Sequence, residues 1–169
     1  MTKKIEVGIL MGSDSDWPKI KGVASALDEF GIGYEVHVAS AHRTPEKVLE
    51  YASSARDRGL GVLIAAAGGA AHLAGVVASH TTLPVIVIPV ETSMMGGLDS
   101  LLSTVQMPGD IPVATVGIGS GGARNAGILA AEILAVGNPA LVEKLSAFRQ
   151  KLVAKIETKE ANLQKVLKS

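Results

Sequence analysis

The sequence predicts an α/β fold, a parallel sheet with helices on both faces. Three observations predict it. Short apolar runs alternate with stretches of helical periodicity along most of the chain. The runs are continuously apolar, as expected of strands covered on both sides. The residues able to do chemistry fall just after those runs, where open parallel sheets bind ligands.

The expected strands occupy residues 6–11, 34–38, 62–66, 85–90 and 113–118, and the expected helices 18–30, 45–58, 71–79, 98–105 and 123–135. Pro18 and Pro45 fall in first helical turns, where proline is tolerated. Gly31 and Gly59 fall just past helix ends, where a left-handed residue is wanted. In the last segment, 139–167, Leu141, Leu145, Phe148, Leu152, Ile156, Leu163 and Leu167 recur at helical spacing. Such a helix spans roughly 40 Å, more than a compact domain of this size. It is expected to pack along a neighbouring subunit. With no repeat, low-complexity tract or linker, residues 1–169 read as a single catalytic domain.

Composition narrows the function. The 169 residues carry no net charge, so nothing marks the chain for nucleic acid or an anionic membrane. Cysteine is absent, which excludes disulfides and thiolate metal sites and fits a reducing, cytoplasmic compartment. The apolar run at 7–11 meets Gly12-Ser13-Asp14 too soon for a signal-peptide core or a spanning helix. Charged residues make up only 19% of the chain, against about 25% in typical domains. That is too little to cover a lone subunit, so a homo-oligomer is expected.

Three turns hold the candidate site. In Gly12-Ser13-Asp14-Ser15-Asp16 the serine hydroxyls beside a helix start suit a phosphate, and an aspartate there can grip sugar hydroxyls. One of these residues is also expected to cap the helix. The second turn is Ser40-Ala41-His42-Arg43-Thr44-Pro45. An arginine at a helix N-terminus opposes the helix dipole, a conflict that an anionic ligand relieves. His42 beside it is the residue type suited to moving protons near neutrality. The third turn, Ala67-Gly68-Gly69-Ala70-Ala71-His72, has little side-chain bulk and lets a flat ligand approach. His72 reads as a structural hydrogen-bonder, as do His37 and His80. The run Gly117-Ile118-Gly119-Ser120-Gly121-Gly122 has dinucleotide spacing, but it lies in the last βα unit with no following strand to supply a ribose-binding acid. It is read as a tight turn or a simpler phosphate site. No histidine or carboxylate spacing suggests a metal, and Trp17 alone is too little aromatic surface for a flavin.

These segments together resemble the class I N5-carboxyaminoimidazole ribonucleotide mutases of the purine-biosynthetic carboxylase family. The resemblance rests on GSDSDW at 12–17, SAHRTP at 40–45, AGGAAHL at 67–73, LDSLLSTVQMP at 98–108, PVATV at 112–116 and NAGILAAEIL at 125–134. It implies a flavodoxin-like three-layer sandwich, a cytoplasmic homo-octamer, and transfer of CO2 from the exocyclic nitrogen of a ribonucleotide to C4 of its imidazole. It further implies that His42 is the general acid and base, that Ser13 and Asp16 bind substrate, and that Arg43 binds its phosphate. Ser40, Gly68 and His72 match positions around the pocket, and no cofactor or metal is required. Three places depart from the family pattern: Ala74 where proline is common, the segment Met94-Met95-Gly96-Gly97, and Asp110 where glycine is frequent. Two alternatives stand beside this reading: a class II enzyme that carboxylates with free CO2, and a non-catalytic nucleotide-binding module.

Overall fold

The computed structural model describes residues 4–168. Five parallel strands, β1 (Ile5–Met11), β2 (Gly33–Val38), β3 (Val62–Ala67), β4 (Val85–Pro89) and β5 (Ala114–Thr115), lie in the order β2-β1-β3-β4-β5. This is the flavodoxin-like order, with its topological switch between β1 and β3. The helices are α1 (Trp17–Ile20), α2 (Gly22–Phe30), α3 (Pro45–Ser54), α4 (Leu73–Ser79), α5 (Leu98–Val105), α6 (Gly119–Ala135) and α7 (Pro139–Leu167).

Side chains alternate across a strand, so each apolar run supplies two cores. Val7, Ile9 and Met11 join Ile64, Ile86 and Ile88 beneath α2 and α6. Leu10, Leu63, Ala65, Val85 and Val87 turn to the opposite face, beneath α3 and α4. These two cores make the three layers. Alanines and Gly127 on α6 let it approach α2 closely; a Cβ at Gly127 would collide with the Val23 carbonyl.

The outer strands depart from the expected two-sided cover. β2 pairs only with β1, and its last residue, Val38, is 44% exposed. β5 pairs with β4 over Ala114 and Thr115 rather than running from 113 to 118. The chain leaves the sheet early because Gly122 packs directly on the Gly117 carbonyl, where any Cβ would overlap the oxygen. As a result α6 begins at Gly119, four residues ahead of the expected start. The expected helix at 18–30 is divided at Lys21 into α1 and α2, and the one expected to reach residue 58 ends regularly at Ser54. Gly31 and Gly59 both adopt the left-handed conformation, with φ of 75° and 88°. Asp110 does so too, at φ 73°, which gives the physical reason why glycine suits that position.

Two helices carry apolar surface outward. On α5, Ser100 and Thr104 are buried while Leu98, Leu102 and Val105 are exposed, the reverse of an ordinary core helix. The first half of α7 docks through Leu141 and Phe148, whose ring meets Phe30 edge-on at 5.5 Å. Beyond Phe148 the described residues of α7 are all exposed, among them Leu152, Ile156, Leu163 and Leu167.

Candidate active site

A cavity of about 370 Å³ opens at the carboxyl edge of the sheet. Four turns line it, one more than the sequence singled out. Gly12, Ser13, Asp16 and Lys19 follow β1; Ser40, Ala41, His42 and Arg43 follow β2. Gly68, Ala70 and Leu73 follow β3, and Val90, Glu91 and Thr92 follow β4.

In the first turn the Ser13 hydroxyl accepts the Ser15 backbone N–H at 3.3 Å and lies 2.8 Å from the Ser15 hydroxyl. Ser13 therefore caps the short 3-10 turn at Asp14–Asp16, not α1. Asp16 stands at the N-cap of α1 but makes no side-chain cap bond, so its carboxylate remains available to a ligand. Burial raises its pKa above the usual 3.8, while Lys19, a Ser13 backbone N–H and Arg43 pull the other way.

The second turn is built around Ser40. Its hydroxyl accepts the backbone N–H groups of His42 at 3.3 Å and Arg43 at 3.2 Å. The Thr44 hydroxyl in turn accepts the Ser40 N–H at 2.9 Å. Arg43 reaches back across the cavity floor, and its Nη2 donates to the Gly12 carbonyl at 2.8 Å. That carbonyl offsets part of the conflict between arginine and helix dipole, and it locks the first two turns together.

Gly68 brings the third turn against the fourth: a Cβ there would lie 3.2 Å from the Val90 carbonyl. The buried polar face of α5 secures both. Ser100 accepts the Gly69 N–H at 2.9 Å and donates to the Val90 carbonyl at 2.7 Å, and Ser103 accepts the Ala71 N–H at 3.2 Å.

Of the predicted site residues, Ser13, Asp16, Ser40, His42, Arg43 and Gly68 all line this cavity. His72 does not. It stands behind His42, with Nδ1 2.9 Å from His42 Nε2 and the two rings at 86°. On its other side it borders a separate, mostly apolar cavity of about 380 Å³ with Met107 and Ile111. A hydrogen bond there needs one nitrogen to donate and the other to accept, so the tautomer of one ring constrains that of the other. His42 Nδ1 has no protein hydrogen-bond partner among the described residues.

Sequence reasoning missed Lys19, Glu91 and Thr92. The signal was present, because the carboxyl-end rule applies to β4 as much as to β1. It also missed Ser100 and Ser103, whose spacing with Thr104 opposite Leu98 and Leu102 marks a polar inner face. The glycine run borders an adjoining cavity of about 260 Å³ through Gly119 and Ser120, and Lys19, Val90 and Glu91 line both cavities. His37 and His80 lie elsewhere, as expected: His37 is 3.7 Å from Glu35, and His80 bonds within the end of α4. Among the described residues no three His, Asp or Glu side chains converge to hold a metal ion, and no helix is long and apolar enough to cross a membrane.

Fold and cavity define a doubly wound α/β protein with cationic, carboxylate and imidazole groups gathered around one small-molecule pocket. The chain belongs to the AIR carboxylase family, whose pattern matches residues 6–155. It is 57% identical over 145 residues to the N5-carboxyaminoimidazole ribonucleotide mutase of Vibrio cholerae, covering 86% of this chain and 90% of that one. It is 53% identical over 160 residues to the enzyme of the same name from Thermotoga maritima, covering 95% and 92%. The crystal structure of Treponema denticola PurE superposes with a TM-score of 0.84 at 30% identity, covering 93% of this chain and 97% of that one.

Proposed function

We propose that this protein is an N5-carboxyaminoimidazole ribonucleotide mutase of purine biosynthesis, with His42 as its proton shuttle. The observation that carries the reading is the His42 ring at the cavity wall, steered by His72 at 2.9 Å and flanked by Arg43 and Asp16. Family membership and the two relatives named for this mutase, at 57% and 53% identity, favour it over the class II carboxylase.

In the first half-reaction His42 delivers a proton to the exocyclic nitrogen. The N–C bond of the carbamate breaks, and CO2 and the aminoimidazole are left together in the pocket. The electron-rich C4 then attacks CO2, forming the new C–C bond. The C4 proton returns to the same imidazole, and the ring regains aromaticity. Ser13 and Arg43 hold the phosphate, and Asp16 accepts hydrogen bonds from the ribose. Ser40 and Gly68 shape the second and third turns around the ring, and His72 steers His42 from behind rather than binding substrate. Acid–base help of this kind is worth about 10² to 10⁴ in rate, and holding CO2 beside C4 adds the proximity contribution.

The four turns leave His42 and Arg43 exposed in a single chain, whereas retention of CO2 requires a closed pocket. The outward faces of α5 and α7, the low charge and the family resemblance support a cytoplasmic homo-octamer built on residues 1–169, with α7 lying along a neighbouring subunit.

The decisive experiment supplies the carbamate ribonucleotide in CO2-depleted buffer and follows the C4-carboxylated product. Wild-type protein is expected to form it, and His42→Asn to lose about 10² to 10⁴ in turnover while still binding ribonucleotide. A wild type that needs added CO2 would point to the class II carboxylase; full turnover by His42→Asn would remove the shuttle.

A further inference from the structure

Resting on the mutase reading above, we infer that Ser100 is a positioning residue: it fixes the spacing of the third and fourth turns and so keeps CO2 beside C4 between the two half-reactions. The sheet does not set that spacing. Pairing of β3 with β4 ends at the bond from the Val90 N–H to the Ala67 carbonyl, 2.9 Å long. Beyond it, among the described residues, no backbone hydrogen bond joins residues 68–72 to residues 91–94. Yet Gly68 and Ala70 on one side, and Glu91 and Thr92 on the other, line the same cavity.

The Ser100 hydroxyl supplies the missing link. A serine hydroxyl has one donor and spare acceptor capacity. Here it donates to the Val90 carbonyl at 2.7 Å and accepts the Gly69 N–H at 2.9 Å. Ser100 is 0% exposed, so water cannot take over either bond if the hydroxyl is lost. Gly69 is left-handed, with φ of 67°, and a glycine turn carries no side chain to hold its own shape. Ser103 adds a second tie to that turn, accepting the Ala71 N–H and donating to the Gly69 carbonyl, each at 3.2 Å. The fourth turn is held from its other flank by Lys19, whose ammonium donates to the Glu91 carbonyl at 2.7 Å. No residue of α5 lines the cavity, so Ser100 acts through the turns and not on the substrate.

The consequence falls on one step. Cleavage of the carbamate N–C bond leaves CO2 beside the aminoimidazole ribonucleotide, with the His42 proton on its amine. Attack by C4 then competes with escape of CO2, after which the amine leaves without a C4 carboxyl. Attack depends on geometry, and a 1 Å misplacement costs about 10² in rate. Escape has no such requirement. Loosening the two turns therefore changes how bound carbamate divides between carboxylated product and free amine.

The test follows the carbamate ribonucleotide through steady-state and single-turnover kinetics, measuring C4-carboxylated product against free aminoimidazole, with loss in the absence of protein subtracted. It compares wild type, Ser100→Ala, Ser103→Ala and Thr104→Val. Thr104 is the matched control, because its buried hydroxyl donates only within α5, to the Ser100 and Leu101 carbonyls at 3.0 Å. Ser100→Ala is expected to lower kcat about tenfold or more, to keep KM within about twofold and to release about fivefold more free amine per turnover. Ser103→Ala should move the same way by about twofold. Thr104→Val should lower Tm and leave the division at its wild-type value. In the free proteins, the Gly69 amide should exchange its hydrogen about tenfold faster or more in Ser100→Ala.

A wild-type division of products in Ser100→Ala would overturn the inference. So would an equal shift in Thr104→Val, because that would reflect a general loss of stability. Should Ser100→Ala fail to fold, an unchanged division in Ser103→Ala would overturn it. Failure of wild type to convert the carbamate would sink the proposed reaction instead, and unchanged Gly69 exchange would still deny Ser100 its hold on the turn.

Discussion

At the scale of single residues, the site divides into groups that face the ligand and groups that aim them. His42 lines the cavity, while His72, thirty positions later in the chain, holds its Nε2. Arg43 combines both tasks, because Nη2 is tied to the Gly12 carbonyl and Nε to the Ser40 hydroxyl at 3.4 Å, which leaves Nη1 for an anion. Substituting Arg43→Ala is therefore expected to weaken ribonucleotide binding about tenfold or more, since it removes both the charge and the tie between two turns. Titration calorimetry with the ribonucleotide measures this, and unchanged affinity would deny Arg43 its phosphate role. Six of the seven residues expected at the site line the cavity, because strand ends, glycine and helix starts are local signals that bring these turns to one sheet edge, while the resemblance supplied the roles of Ser40 and Gly68. The partner of His42 was not legible in sequence: the closeness of His72 depends on β1 lying between β2 and β3 in space.

At the scale of elements, the exposed edge strand β2 is secured by one polar cluster rather than by a second neighbour. The Tyr51 hydroxyl of α3 donates to Glu35 at 2.7 Å, and Arg58 pairs with the same carboxylate oxygen at 2.6 Å while lying over the Tyr51 ring. Burial alone would raise the Glu35 pKa, but the bonds from Tyr51 and Arg58 outweigh it and hold it below the usual 4.5. The same burial and the adjacent carboxylate push the Tyr51 phenol well above its ordinary range. A carboxylate with a lowered native pKa stabilises the fold above its unfolded pKa, and loses that contribution as pH falls through the native value. Glu35→Gln is thus expected to cost about 1–3 kcal/mol at pH 7. The gap from wild type should narrow below about pH 4. Thermal melts at several pH values test this; a gap independent of pH would mean that the charge contributes nothing.

At the scale of the whole molecule, Leu98, Leu102 and Val105 of α5 and Leu152, Ile156 and Leu163 of α7 are exposed among the described residues. A helix with serine and threonine inward and leucine outward presents two surfaces: its polar side holds the cavity turns, and its apolar side is exposed, where the proposed assembly would cover it. Leu102 is half exposed in the single chain, so Leu102→Glu should leave the subunit fold intact. It should nevertheless reduce the particle mass seen by light scattering, because a charge would be buried at the subunit contact. An unchanged particle mass would remove α5 from the assembly surface.

What the amino-acid order determined unaided was whatever depends on near neighbours. That includes the alternation of strand and helix, the split of each apolar run between two cores, the turns rich in glycine and serine, and the long final helix. Three-dimensional packing alone decided the short β5 and the early start of α6, the histidine pair, the reach of Lys19 to Glu91, and the inverted face of α5. The physical reason is distance along the chain. Local dihedral preference and hydrophobic period act over a few residues, whereas each of these later features joins segments separated by many positions and exists only once the sheet has set their spacing.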